Sequence, residues 1–267
     1  MTKSSRNPNR YKALIEKIFF DRYYESATEL LFERVDFETT ATELGLSLPK
    51  NLGDIVYSFR YRKGIPQSII NTQPDDMEWI IEGIGSARYA FRLVKVNRII
   101  PNKTLLEIKI PDATPEIISH YSLSDEQALL AKVRYNRLID IFLGLTSYSL
   151  QNHLRTTVVG VGQIEIDEIY VGIDKRGCQY ILPVQAKGGD DQLSVVQTKQ
   201  DILCCAEKFP QLICRAISTQ FVTDNLIALF ELTIDDNQVR IIDEKHYLLV
   251  PANNISSSDL VNYQRMI

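Results

Sequence analysis

Apolar residues between Arg10 and Phe32 recur at Leu14, Ile18, Tyr23, Ala27 and Leu31, with Glu and Arg between them. That spacing predicts one long amphipathic helix. Thr39 to Leu46 reads as a short helix closed by Gly45, the residue type that takes the left-handed conformation at a helix end. Leu48 to Lys63 predicts a further helix, with Pro49 near its first turn. Trp79 to Gly85 and Tyr89 to Lys95 read as two strands joined through Gly85-Ser-Ala-Arg88.

The rest of the chain changes character. Arg98 to Lys103 reads as a connector and Leu105 to Ile110 as a strand. Ser124-Asp-Glu-Gln127 has capping-box spacing and opens a predicted helix that runs through Leu143. Gln163 to Val171 and Tyr180 to Lys187 are short apolar strands whose polar residues fall at every second position. Lys175-Arg-Gly-Cys178 supplies a turn between them, so an antiparallel hairpin is expected. Gln192 to Lys208 predicts a helix with Leu193, Val196, Ile202 and Leu203 inward, and with Gln197 and Gln200 facing either a cleft or solvent. Cys214 to Phe221, Ile227 to Leu232 and His246 to Val250 complete the strands, and Ser256-Ser-Ser-Asp259 reads as a loop or helix cap. The expected fold is α/β (α+β). A mainly helical domain over 1–100 precedes a mixed central sheet flanked by helices over 101–267.

The predicted hairpin carries the chemistry. Side chains on a strand alternate between faces, so Glu165 and Asp167 share one face, as do Gln185 and Lys187. Carboxylate oxygens suit a hard cation such as Mg²⁺, which keeps several waters and takes one or two protein carboxylates. A metal lowers the pKa of a bound water, and a neighbouring lysine orients that water and offsets phosphate charge. In open α/β sheets ligands bind beyond the carboxyl ends of the strands, where these residues fall. The same alternation also suits a solvated sheet face laced by cross-strand salt bridges.

Asp167 followed on the next strand by Gln185-Ala-Lys187 resembles the PD-(D/E)XK nuclease superfamily, in a variant with glutamine at the D/E position. The likeness spans residues 120 to 235. It implies a restriction-endonuclease-like core and Mg²⁺-dependent hydrolysis of DNA phosphodiester bonds, with Mn²⁺ a possible substitute. It further implies that Asp167, Gln185 and Glu165 serve the metal and that Lys187 positions water. Glu126, on the preceding helix, is the candidate for a further metal contact, although a first-turn glutamate also suits the helix dipole. Two literal spellings of the motif are set aside as loops, Pro111-Asp112 within Pro111-Asp-Ala-Thr-Pro115 and Asp243-Glu-Lys245.

Three helices followed by a β-hairpin resemble a winged helix-turn-helix domain. That likeness implies double-stranded DNA as partner, with one helix in the major groove and the hairpin touching backbone. Lys50, Asn51, Ser58, Arg60, Arg62 and Lys63 would then be the groove-facing positions and Arg88 the contact on the hairpin. The plain alternative is a small helical packing domain with surface cations and with Tyr57, Phe59 and Tyr61 in or beside its core.

Composition narrows the classes. The 267 residues carry a net charge of −4, which is no footprint of strong nucleic-acid binding by the whole chain. Residues 1–105 hold 16 Lys and Arg against 13 Asp and Glu, whereas 106–267 hold 14 against 21, so DNA contact is expected through one face. No apolar run reaches the length of a membrane span and the N-terminus lacks a signal-peptide core, so a cytoplasmic, non-membrane protein is expected. Cys178, Cys204, Cys205 and Cys214 show no Cys-x-x-Cys spacing, and His120, His153 and His246 are scattered, which argues against zinc. Gly160-Val-Gly162 lacks the third glycine of a dinucleotide fingerprint. The leading expectation is a type II restriction-like endonuclease, with symmetric cutting calling for a homodimer. The alternatives are a non-catalytic DNA-binding protein on the same fold and a structure-specific resolvase or repair nuclease.

Overall fold

In the computed structural model, residues 8–61, 64–95, 99–121, 126–187, 195–235 and 238–265 are described. The chain divides into two compact units, residues 1–96 with 159–162, and residues 97–158 with 163–267.

In the first unit α1 (Pro8–Phe20) buries Leu14, Ile15, Ile18 and Phe19. The helix expected to run to Phe32 stops at Phe20, and β1 (Glu29–Glu33) follows. The alternation inside Glu29-Leu-Leu-Phe-Glu33 explains the change: Leu30 and Phe32 are buried while Leu31 is exposed, the period of a strand. Next come α2 (Arg34–Leu44), α3 (Gly53–Tyr61) and α4 (Gln67–Ile70), then β2 (Met77–Gly85) and β3 (Arg88–Lys95). The three strands form an antiparallel sheet in the order β1-β3-β2. Phe91 on the central strand packs edge-on against Phe19 with ring centroids 5.1 Å apart, tying α1 to the sheet.

Helix α2 ends as expected at Gly45, which sits at φ 62°. Helix α3 is shorter than the sequence pattern suggests and begins at Gly53, so Pro49, Lys50 and Asn51 precede it. Asn51 sets that start: its Oδ1 accepts from the Gly53 N–H at 3.1 Å and its Nδ2 donates to Asp54 at 2.9 Å.

The second unit is built on an eight-stranded mixed sheet. Its elements are β4 (Glu107–Pro111), α5 (Glu116–Tyr121), α6 (Glu126–Tyr135), α7 (Leu138–Leu143), β5 (Thr146–Val158), β6 (Gly162–Ile173) and β7 (Gln179–Lys187). They are followed by α8 (Val195–Lys208), β8 (Ile213–Cys214), β9 (Ala216–Phe221), β10 (Leu226–Asp235), β11 (Gln238–Val250) and α9 (Ser257–Gln264). The strand order is β4-β11-β10-β9-β7-β6-β5, with β8 beside β7. Strands β7 and β9 run parallel, as do β11 and β4, whereas β6–β7, β9–β10 and β10–β11 are antiparallel. A mixed α/β architecture is therefore what the chain adopts.

Leu129, Leu130 and Val133 of α6 and Leu138 and Ile139 of α7 pack with Leu182, Val184 and Ala186 of β7 into the main core. Ile181, one residue out of phase with that set, joins Ile169 and Cys205 of α8 in a second cluster. Helices thus cover both faces of β7, which accounts for its nearly unbroken apolar run.

Three features of this unit depart from the sequence pattern. The helix predicted to reach Leu143 breaks after Tyr135, because Asn136 leaves it and Arg137 takes a left-handed φ of 51°. The buried Asn136 amide accepts from the Ala113 N–H at 2.7 Å and donates to Thr114 Oγ1 at 2.9 Å, so the bond network rewards the break. Strand β5 was not foreseen, since most of its residues are exposed and only the pairing with β6 identifies it as a strand. Asp243 to Lys245 lie within β11, paired with Glu231 to Leu229 of β10, and not in a loop. By contrast, Asp112 follows β4 in a turn, with its Oδ1 accepting from the Thr114 N–H at 2.8 Å. The start of the Ser124 capping box lies outside the described residues.

The last helix carries its own cap. Asp259 accepts from the Ser256 hydroxyl at 2.7 Å, from the Ser256 N–H at 2.8 Å and from Lys109 Nζ at 3.0 Å. The Ser256 bonds foremost, and then Lys109, lower the Asp259 carboxyl to about 2. Because the folded value lies below the unfolded one, this cap stabilises fully above about pH 4 and is lost as the pH falls toward 2. Carboxyl-carbon NMR titration should place Asp259 near its lowered value in the wild type. In Ser256→Ala the midpoint should move up, and an unmoved midpoint would contradict the assignment.

Candidate active site

Four of the five residues singled out from the sequence meet around the end of the β6–β7 hairpin. The register pairs Glu168 with Val184 and Ile169 with Pro183, which sets Asp167 beside Gln185 and Ala186. The Ala186 N–H donates to Asp167 Oδ2 at 2.9 Å and so fixes the carboxylate. Burial raises the Asp167 pKa above its ordinary value, a rise opposed by the Ala186 bond and by Lys187 and His153, and reinforced by Glu126. Lys187, mostly buried at the last position of β7, donates to Glu126 Oε1 at 3.0 Å. Glu126 is thereby placed as the partner of the lysine.

Glu165 is drawn elsewhere. It shares a face with Asp167 as expected, but its carboxylate pairs with Arg155 at 3.2 Å and with His153 Nδ1 at 3.4 Å, both on β5. The neighbouring strand, which the sequence did not reveal, competes for that side chain.

Gln185 is 3% exposed, and its Nε2 donates to Asp201 Oδ2 at 2.8 Å and to the Glu165 carbonyl at 3.3 Å. Since the Glu165 carbonyl can only accept, the atom that meets it is the amide nitrogen. Among the described residues Gln185 Oε1 and Asp201 Oδ1 are buried and without a hydrogen-bond partner. A buried polar atom without a partner is costly, so this pair marks the corner as chemically unfinished.

Asp201 is the residue that sequence reasoning missed. Helix α8 buries Thr198, Gln200, Asp201, Cys204 and Cys205, while Leu203, expected inward, is about half exposed. Leu193 lies outside the described residues. Thr198, Asp201 and Cys205 follow one another at helical spacings of three and four, a signal hidden by the polarity of its first two members. Burial raises the Asp201 pKa well above the ordinary carboxylate value, partly offset by the Gln185 bond and reinforced by Asp167.

Among the described residues no group of three or more His, Cys, Asp and Glu is arranged to hold a metal ion. The donors on offer are a carboxylate at Asp167 and the unpartnered amide oxygen of Gln185. A hard cation that retains most of its waters needs little more from the protein. The buried, unpaired Gln185 Oε1 is the observation that such an ion fits.

In the first unit, Lys50 and Asn51 are exposed ahead of α3, Ser58 is half-buried on it, and Arg88 is exposed at the turn into β3. Phe59 is a core residue, Tyr57 is partly exposed, and the exposed Asp54 adds a negative charge to the same helix. The Arg60 side chain, Arg62 and Lys63 lie outside the described residues. No helix among the described residues is long and apolar enough to cross a membrane.

No family model matches the chain, and neither a curated protein nor a solved structure matches it.

Proposed function

We propose that the protein is a Mg²⁺-dependent DNA endonuclease, with a type II restriction-like enzyme as the leading form. The observation that carries the reading is the corner at the end of β7. There Asp167 is pinned by the Ala186 N–H, Lys187 is steadied by Glu126, and Gln185 Oε1 stands buried and unpaired. The likeness of Asp167 and Gln185-Ala-Lys187 to the PD-(D/E)XK motif supports the same reading.

Asp167 and Gln185 Oε1 are the groups that would hold the ion. When bound, a divalent metal supplies an activated water and neutralises charge on the phosphate. Lys187 orients the attacking water and offsets charge on the scissile phosphate, and Glu126 limits the lysine to that position.

The first unit supports the DNA side of the reading. Its element order α1-β1-α2-α3-β2-β3, with short α4 before the hairpin and sheet order β1-β3-β2, resembles a winged helix. Helix α3 would enter the major groove, with Lys50 and Asn51 just before its start, Ser58 within it and Arg88 on the wing. Arg60, Arg62 and Lys63 remain sequence-based candidates for the same surface.

The test is incubation of the purified protein with unmethylated phage and plasmid DNA, with Mg²⁺ and with EDTA. Discrete fragments that EDTA abolishes are expected. A second reading, a non-catalytic DNA-binding protein, is favoured by the neutral Gln185 where a carboxylate binds metal more strongly. Uncut DNA whose gel shift survives EDTA would select it. A strong preference for branched over linear substrates would select a resolvase.

A further inference from the structure

Asp201 is out of place as a purely structural residue. It is 2% exposed at the middle of α8, on the stripe that faces the sheet. Among the described residues its carboxyl takes one hydrogen bond, from the neutral Gln185 amide, and no lysine or arginine pairs with it. A carboxylate in such surroundings calls for a partner of positive charge.

Its surroundings define which partner fits. Gln185 and Asp201 bond to each other through Nε2 and Oδ2, and each keeps one side-chain oxygen, Oε1 and Oδ1, that is buried and unpaired. The Asp167 carboxylate lies on the same face of the hairpin as Gln185 and close enough to Asp201 to act on it electrostatically. Three acceptor-bearing side chains therefore share one corner, and a single cation would satisfy oxygens that no protein donor reaches. A hard divalent ion takes carboxylate and amide oxygens together.

We propose that Asp201 supplies from α8 the second carboxylate of the metal site, making up for the neutral Gln185 on β7. This inference rests on the nuclease reading above and adds to it a ligand outside the strand motif. Gln185 then has two tasks, holding Asp201 through Nε2 and presenting Oε1 to the ion.

Titration calorimetry of the full chain with Mn²⁺, without DNA, tests it. Asp201→Asn should weaken Mn²⁺ binding by about tenfold or more. The exchange Gln185→Glu with Asp201→Asn, which moves the carboxylate from helix to strand, should restore binding to near the wild-type level. Asp201→Cys should raise the ratio of Cd²⁺ to Mn²⁺ affinity by about tenfold over wild type, which itself controls for Cys204 and Cys205. The cysteine variant decides the matter if the asparagine variant does not fold. Unchanged Mn²⁺ binding in Asp201→Asn, together with its loss in Asp167→Asn, would overturn the inference and leave the nuclease reading intact. The alternative would then hold, with Asp201 a neutral acid closing a two-bond pair with the Gln185 amide. An unaltered Cd²⁺ preference in Asp201→Cys would overturn it equally. A wild type that binds no Mn²⁺ would remove the metal site itself and both readings with it.

Discussion

Replacing Asp167 by asparagine should lower DNA cleavage by about a thousandfold while DNA binding persists. The size follows from metal stabilisation of a phosphoryl centre, worth several kcal/mol, with about 1.4 kcal/mol for each factor of ten in rate. The fold should survive, because an asparagine oxygen can still accept the Ala186 N–H that Asp167 Oδ2 takes at 2.9 Å. Nicking of supercoiled plasmid under single-turnover conditions gives the rate, and a gel shift gives the binding. Cleavage within threefold of wild type would remove Asp167 from the chemistry.

The second large effect concerns stability. Glu168, next to Asp167 but on the opposite face of β6, is fully buried. It accepts from Arg134 Nε at 2.9 Å and from Ser149 Oγ at 2.5 Å, which links α6, β5 and β6. Removing one partner of a buried pair strands the other charge away from water, usually at a cost of 3–5 kcal/mol. The Arg134 side chain is 37% exposed, so solvent already screens part of the interaction. Arg134→Ala should therefore lose about 2–3 kcal/mol in urea unfolding. A loss below about 0.5 kcal/mol would mean that Glu168 finds water or another donor at little cost.

What could be read from the chain, and what could not, divides along a physical line. Alternation of side chains sufficed to put Glu165 with Asp167 and Gln185 with Lys187, because a strand face depends on local geometry alone. Gly45 ended its helix for an equally local reason. Strand β1 was absorbed into a helix because Leu31 happens to continue the helical spacing from Ala27, although tertiary burial selects Leu30 and Phe32. The break at Asn136 and the capture of Glu165 by Arg155 and His153 depend on partners distant in sequence or on the unforeseen β5. Asp201 was hidden for the same reason. A polar residue in a helix is by default solvated, and only packing against Gln185 turns it inward.

The central claim is that the corner formed by Asp167 and Lys187 cuts DNA with a divalent metal. The most direct test is nicking of plasmid by wild type and Lys187→Ala, purified side by side, in Mg²⁺ and in EDTA. Nicking by the wild type alone, abolished by EDTA, is the predicted result. Equal nicking by the two proteins, free of contaminating nuclease, would contradict it.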